Sequence, residues 1–180
     1  IIKIVPLFLR AARENGGLGL PTSDIGIAYG IFGAVAFILG YIDSGYYVAK
    51  RGLQRSIIIL CIFFNVPIAV YVYLAFITPE NFALICGAIT IEWFGYGFGF
   101  VAVILFMMQQ IAPGKYKMAH YAFATAVMNL GFMLPSMISG YLSDFLGYKN
   151  FFLWVMVATI PSFIVAWFVP FKEVEKETSS

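Results

Sequence analysis

The sequence predicts an all-α, polytopic membrane protein, and three observations carry that prediction. Of the 180 residues, 62% are hydrophobic and only 11% are charged, whereas a soluble domain has about 25% charged residues. The mean hydropathy is +0.90. Several apolar stretches reach the roughly 20 residues that a helix needs to cross a bilayer. The polar residues are too few to cover the surface in water, so we expect lipid to be the main solvent.

Five complete membrane-spanning helices are predicted. No alternation of apolar and polar residues lasts long enough to compete as a strand. A further apolar stretch, Ile1–Leu9, is about half a span, and we interpret it as the end of a helix that begins earlier. The chain opens without a methionine, so we expect a piece of a longer protein. The predicted spans are Ile25–Val48, Ile57–Ile77, Phe82–Ile111, Met118–Leu142 and Phe151–Phe171.

The connectors between these spans are short and rich in Gly, Pro, Asn or charged residues, as turns at a membrane surface are. Thr22 or Ser23 is expected to cap the first span, and Thr78 or Asn81 the third. The tail, residues 172–180, is predicted to be soluble and disordered. Lys and Arg are more numerous in one set of alternate connectors, which predicts a cytoplasmic C-terminus. That set holds Lys50, Arg51, Arg55, Lys115, Lys117, Lys172 and Lys176, and the opposite set holds Arg10, Arg13 and Lys149.

Composition argues against several function classes. A net charge of +2 is too small to indicate a nucleic-acid partner. Cys61 and Cys86 lie inside apolar runs without ligand-like spacing, so we interpret them as packing residues and expect no metal or cofactor. A membrane-embedded enzyme would need an acid–base or metal constellation. The single histidine, His120, has no acid four or five residues away, so we expect no enzyme.

Glu92 is the most informative residue, because it lies in the middle of a predicted span. Ten residues from Phe82 correspond to ~15 Å of helix in a core of about 30 Å. A charge there costs on the order of 3 kcal/mol on insertion scales. Glu92 is either a buried structural acid held by Tyr or Arg from another helix, or a carboxylate that binds a proton or solute, which we favour.

Three glycines follow Glu92 closely. Gly95 and Gly99 lie on its side of the helix, together with the hydroxyl of Tyr96. Bare backbone there permits either a close helix neighbour or access for a ligand. Gly97 points elsewhere, and we expect it to ease bending.

The fourth predicted span carries a polar stripe. Its members recur at helical spacing, so they share one face. Such a face is either an interface joined by hydrogen bonds or the wall of a polar cavity. The stripe comprises Tyr121, Thr125, Asn129, Phe132, Ser136 and Ser143. The second and fifth spans contain no acidic or basic residue and only mild polar interruptions, and they are predicted to be lipid-facing supports. Asp43, near the cytoplasmic end of the first span, is interpreted as a structural acid paired with a base such as Arg51 or with a group elsewhere.

The connector "GYYVAKRGLQR" resembles the loop between helices 8 and 9 of the major facilitator superfamily, with Ala49 in place of the usual acid. A similar sequence pattern, "GYLSDFLGYKNFF", occurs just before the last span. The segments "KIVPLFLRAARENGGLGLPTSDIGIAYG", "IEWFGYGFGF" and "GKYKMAHYAFAT" are similar to bacterial permeases of the AmpG type. The resemblance implies that residues 1–171 are a C-terminal transmembrane half, from the end of helix 7 to helix 12. It also implies a cytoplasmic gating loop of Asp43, Gly45, Lys50, Arg51, Gly52 and Arg55.

The same resemblance implies a secondary permease of a bacterial inner membrane. Protons, a small solute such as a cell-wall muropeptide, the lipid bilayer and an N-terminal half are its implied partners. Helices 8, 10 and 11 would lie near the central cavity, and helices 9 and 12 at the periphery. Glu92 would be the proton-coupling residue. The solute-binding residues would be Tyr96, Tyr121, Thr125, Asn129 and Ser136. The alternatives are a permease for sugars or other organic solutes, and a non-transporting sensor with the same fold.

Overall fold

The structure, a computed structural model, describes residues 3–171, and all regular secondary structure in that range is helical. The predicted tail 172–180, with Lys172 and Lys176, lies outside the described residues. α2 contains a π-helical turn at Ala28–Gly33, and α4 ends in another at Met107–Ile111. The helices are α1 Ile4–Arg10, α2 Thr22–Arg51, α3 Leu53–Ile77, α4 Phe82–Ile111, α5 Lys117–Ala158 and α6 Ile160–Phe168.

Four helical runs within residues 3–171 are long and apolar enough to cross a membrane. They are α2, α3, α4 and the combined run of α5 and α6, Lys117–Phe168. The all-α membrane class predicted from composition is therefore confirmed. The predicted bounds of the third span, Phe82–Ile111, agree with α4. The predicted fourth and fifth spans, in contrast, form a single 52-residue run in the structure.

Two segments predicted to be connectors are helical in the structure, and each is interrupted at a single glycine. "AKRGLQRS" is helical except at Gly52, where φ is 79° and ψ is 154°. "SDFLGYKN" is helical except at Gly147, where φ is 72° and ψ is 158°. Both pairs of angles lie in a region that is essentially open to glycine alone. Gly52 follows Gly45 by seven positions, and Gly147 follows Gly140 by seven positions. The two similar sequence segments therefore share one backbone conformation at their second glycine.

The chain reverses direction at Gly147. One cavity of about 520 Å³ is lined by residues between 134 and 142 and by residues between 151 and 159. Leu134 and Thr159 would be ~37 Å apart on a straight helix, too far to share such a cavity. The two parts of the run therefore lie side by side in opposite directions.

The core consists of two clusters along the bundle. The larger cluster joins α1 to the C-terminal part of α3 and the N-terminal part of α4, and Phe8, Tyr71 and Ile89 are fully buried in it. The smaller cluster lies toward the other ends of α3 and α4, around Leu60 and Phe98. Glu92 falls between the two clusters along α4.

Of the two predicted helix caps, one is confirmed. The Asn81 side chain accepts a hydrogen bond from the Ala83 backbone N–H at 2.9 Å, at the start of α4. The prediction for α2 is wrong: Pro21 precedes the helix, and no side chain caps it. Ser23 lies inside the first turn, where its hydroxyl donates to Asp24 Oδ1 at 3.2 Å instead.

Candidate functional site

The glycines of α4 bring two neighbouring helices against the segment that carries Glu92. A Cβ on Gly95 would lie 2.7 Å from the Phe63 carbonyl oxygen, and one on Gly99 would lie 2.4 Å from Phe64 Cβ. Both partners belong to α3, which therefore fills the bare strip. Of the two possibilities for these glycines, a close helix neighbour is correct.

Gly97 faces the opposite neighbour, α2. A Cβ there would lie 2.4 Å from the Phe37 carbonyl oxygen, and a Cβ on Gly40 of α2 would lie 2.3 Å from the Phe94 carbonyl oxygen. The expectation that Gly97 eases bending is replaced by a packing role, because real Cβ atoms do not approach other atoms so closely. α4 is thus held between α2 and α3 by backbone-to-backbone approach on both sides.

Glu92 is the end of a hydrogen-bonded chain that crosses three helices. The Tyr71 hydroxyl of α3 donates to Glu92 Oε2. The Tyr29 hydroxyl of α2 lies 3.1 Å from the Tyr71 hydroxyl. A hydroxyl has one hydrogen to donate, so Tyr29 donates to Tyr71 when Tyr71 donates to the carboxylate.

Tyr71 holds this chain in place. It is fully buried, and its ring stacks on Phe152, with 5.6 Å between centroids and 20° between planes. The Tyr29 ring meets Trp93 edge to face at 5.6 Å. A tyrosine from another helix therefore does hold the acid, as one of the two interpretations of Glu92 required. This contact still leaves the other carboxylate oxygen without a hydrogen bond among residues 3–171.

Two cavities meet at Glu92. The first, of about 380 Å³, is bounded by Lys3, α3, α4 and α5. The second, of about 250 Å³, is lined by Val5 of α1, Tyr29 of α2 and Trp93 of α4. Glu92 and Tyr96 line both cavities, so the acid lies on the partition between two spaces.

Tyr96 has a fixed ring and an unused hydroxyl. Its ring stacks on Phe64 at 5.4 Å and 28°, and on Phe100 at 5.7 Å and 23°. No hydrogen bond of its hydroxyl occurs within the described part of the chain. The hydroxyl is therefore available to a solute in the cavities that Tyr96 lines.

Only part of the predicted polar stripe of α5 reaches this site. Ser136 lines the first cavity, and its hydroxyl donates to the Phe132 carbonyl at 2.7 Å. Tyr121, Thr125 and Asn129 line neither cavity. Thr125 donates to the Tyr121 carbonyl at 2.8 Å, and Asn129 is exposed.

The predicted gating-loop residues lie on helices rather than in a loop, except for Gly52. Asp43 is exposed, and the one ion pair found within residues 3–171 joins Arg13 to Glu80, so the expected pairing of Asp43 with Arg51 is absent from that range. Arg51 instead donates to the Tyr47 hydroxyl at 3.1 Å. The Lys50 ammonium lies 4.4 Å from the centre of the Tyr46 ring. Gly45, Gly52 and Arg55 are exposed, and Gly52 is the break between α2 and α3.

α3, which the sequence predicts to be a lipid-facing support, has one closely packed side in the structure. It packs along the glycine strip of α4, and Leu60, Tyr71 and Leu74 are completely buried. The predicted fifth span, Phe151–Phe171, agrees only in part with a peripheral position: no residue of α6 is buried, but Phe151 and Phe152 are buried in the core. Tyr71 and Tyr29 were missed as site residues, since a tyrosine in an apolar run gives no sequence signal that distinguishes a hydrogen-bonded hydroxyl from one at an interface.

Chemically, the site can accept, hold and release a proton. One carboxyl group is reached from two cavities and is joined to two hydroxyls that can reorient. Within residues 3–171, no three His, Cys, Asp or Glu side chains converge in a way that could hold a metal ion.

The chain is similar to bacterial proteins named as AmpG transporters. It is 27% identical over 143 residues to "Putative transporter AmpG 1" of Rickettsia felis, which covers 79% of this chain and 31% of that protein. The corresponding protein of Rickettsia bellii is 28% identical, with 79% and 34% covered. "Putative transporter AmpG 2" of Rickettsia typhi is 24% identical, with 85% and 37% covered. No protein-family model matches the chain.

These relatives confirm the AmpG-type resemblance inferred from the sequence. The chain spans about a third of the length of the curated relatives it matches. Similarity to membrane transporters over most of the chain, together with the apolar helices, makes this a multi-pass membrane protein.

Proposed function

We propose that the chain is the C-terminal half of a proton-coupled secondary transporter with the major facilitator fold. Transporters of this superfamily contain two halves that rock around a site near the middle of the bilayer. The partition position of Glu92 is the observation that carries the proposal. Placing a charged carboxyl group near the middle of a bilayer costs free energy. Binding and releasing a proton during transport would be a function that explains why the residue is there.

Five membrane crossings are part of this proposal. The run Lys117–Phe168 would be about 78 Å long if straight, more than twice the hydrocarbon thickness of a bilayer. The reversal at Gly147 divides it into 117–146 and 148–168, which are about 45 Å and about 32 Å long. Each part is long enough to cross once.

Glu92 is the proton-coupling residue in this mechanism. The carboxylate takes a proton when the outer side of the membrane is open to its cavity and releases it when the inner side is open. Tyr71 stabilises the ionised form by donation, and both tyrosines can reorient when the acid is neutral. The alternation between sides comes from the rocking of this half against the other half, with Gly52 and Gly147 at the ends of the moving helices.

The solute is held mainly by groups that face the first cavity. Tyr96 supplies a free hydroxyl, and Ser136 supplies a hydroxyl oxygen that can still accept a hydrogen bond. Tyr121, Thr125 and Asn129 extend the same helix face, and we assign them to the wall shared with the N-terminal half. The similarity to AmpG-named proteins favours a cell-wall muropeptide, imported across a bacterial inner membrane. The excess of Lys and Arg on one side favours a cytoplasmic C-terminus.

The test uses the full-length protein in proteoliposomes with an imposed pH gradient and a radiolabelled muropeptide. Replacing Glu92→Gln is expected to abolish accumulation against a gradient while solute exchange partly remains, because binding survives and the proton site does not. Glu80→Gln is the matched control, since the Glu80 side chain is 90% exposed and lies outside the site.

Three outcomes are informative. Loss of accumulation in Glu92→Gln alone supports the coupling role. Undiminished accumulation by Glu92→Gln at every pH removes Glu92 from the mechanism. Binding of the muropeptide by the wild-type protein without exchange or accumulation contradicts transport and favours a sensor with the same fold.

A further inference from the structure

The first cavity contains a cation as well as Glu92. Lys3, the residue that precedes α1, lines the same space of about 380 Å³. The two charged groups are not within ion-pair distance of each other, because the one ion pair among residues 3–171 lies elsewhere. Lys3 is exposed, so one exposed cationic residue and one acidic residue line the same cavity without contacting each other.

The rest of the wall is almost entirely apolar or already satisfied. Asn65 donates to the Cys61 carbonyl at 2.7 Å, and Ser136 donates within its own helix. Ammonium groups have three donors and no acceptor, and Lys3 makes no hydrogen bond or ion pair within the described residues. The apolar part of the wall is formed by Phe64, Pro67, Ile68, Gly131, Phe132 and Pro135.

Charge balance in such a cavity is energetically significant. Opposite charges that line one largely apolar cavity attract each other more strongly than they would in bulk water. Lys3 and Glu92 partly compensate each other when the cavity is empty of solute. A solute that brings its own negative charge to Lys3 replaces Glu92 as the counter-charge and leaves two anions near one cation, unless one is neutralised.

We propose that Lys3 is the anion-binding residue of the solute site, where it binds a carboxylate of the transported solute. This inference rests on the proposed transport function and names a residue that recognises its substrate. When the solute carboxylate binds the Lys3 ammonium, the Glu92 carboxylate takes up one proton from the bulk solution through water that enters the cavity. The cavity then holds one cation, one anion and one neutral acid, so its net charge is the same with and without solute.

The groups that face Glu92 from each packed helix are consistent with this exchange. α2 contributes Tyr29 and α3 contributes Tyr71, both as hydroxyls. α4 contributes the free hydroxyl of Tyr96, which can donate to the second solute oxygen. α5 contributes no ionisable group to the cavity wall. Lys3 is therefore the cation that meets a solute anion in the part of the chain described by the structure.

The test measures binding and transport separately in the full-length protein. The probes are a muropeptide with free carboxylates, called the acid, and the same molecule with every carboxylate converted to a carboxamide, called the amide. Calorimetry in detergent measures affinity, and proteoliposomes measure accumulation. Lys3→Gln is compared with Lys3→Arg, which keeps the charge, and with Lys115→Gln, which removes an exposed lysine of the α4–α5 connector.

The wild-type protein is expected to bind the acid at least about tenfold more tightly than the amide, a difference of about 1.4 kcal/mol. Lys3→Gln should remove that preference, and Lys3→Arg and Lys115→Gln should keep it. Equal binding of acid and amide by the wild-type protein, binding of neither probe, or an unchanged preference in Lys3→Gln would overturn the proposal. If Lys3-dependent binding of the acid occurs without accumulation, the anion site stands and the transport function fails.

Discussion

α4 and α5 each carry one strongly polar side chain deep in an apolar stretch, yet the two side chains have different environments. In α4, ten residues between Phe82 and Phe106 are buried, and Glu92 is held by a tyrosine from the next helix. In α5, only five of 42 residues are buried, and Asn129 is exposed. Small residues explain the difference, because glycines let α2 and α3 approach α4, whereas open space surrounds Gly131 and Gly140 of α5.

This contrast distinguishes two uses of a polar group in a membrane helix. A polar group on a closely packed face can find a hydrogen-bond donor within its own bundle, as Glu92 finds Tyr71. A polar group on an exposed face needs water or another protein surface, because lipid offers it no hydrogen bond. We therefore expect water or another protein surface, rather than lipid, at the exposed Asn129 of α5.

The largest expected effect concerns the packing of α4. Gly97→Ala places a methyl group 2.4 Å from the Phe37 carbonyl oxygen, and overpacking of this kind costs about 1–3 kcal/mol. Gly87→Ala in the same helix meets nothing within 4 Å, so it should be neutral or stabilise by about 0.5–1 kcal/mol. Unfolding of both variants by SDS titration measures the difference. Equal stability would mean that α2 and α4 are not in backbone contact.

A smaller effect is expected at the hydrogen-bonded chain. Tyr71→Phe removes the donor to Glu92 and should lower the free energy of unfolding by about 0.6–1.7 kcal/mol, the range for hydrogen bonds between membrane helices. Tyr73→Phe is the matched control, because Tyr73 is 49% exposed and lies outside the core. The same SDS titration applies. A Tyr71→Phe variant as stable as Tyr73→Phe would contradict the assigned role of Tyr71 in holding the acid.

Cysteine substitutions in α5 are expected to change stability least, but they should differ clearly in their reaction with a water-soluble thiol reagent. In a full-length protein with Cys61 and Cys86 replaced, Asn129→Cys should react with a membrane-impermeant thiol reagent, and solute should slow the reaction. Val127→Cys lies about 200° around the helix at a position where valine is 53% exposed, and it should resist labelling because it faces lipid. Labelling of Val127→Cys but not of Asn129→Cys would reverse the orientation assigned to α5.

Local signals allowed part of this structure to be predicted. The bounds of α4 and its Asn81 cap follow from apolar run length and from residue types at one end, and the mid-depth position of Glu92 stays a prediction. The connectors around Gly52 and Gly147 were predicted to be longer, because charged and polar residues resemble turn residues even when they continue a helix. The roles of Tyr71, Tyr29 and Lys3 depend on which helices pack against each other. The apolar runs have similar lengths and compositions, so the sequence alone does not predict that packing.

Proton uptake on solute binding tests the central claim about Glu92 most directly. The full-length protein is mixed with the carboxylate-bearing muropeptide in lightly buffered detergent solution, and a pH indicator records protons taken up or released. The account predicts that the wild-type protein takes up protons as the solute binds, and that Glu92→Gln binds solute without proton uptake. The same proton uptake in Glu92→Gln as in the wild-type protein would contradict the account, because the proton would then be held elsewhere.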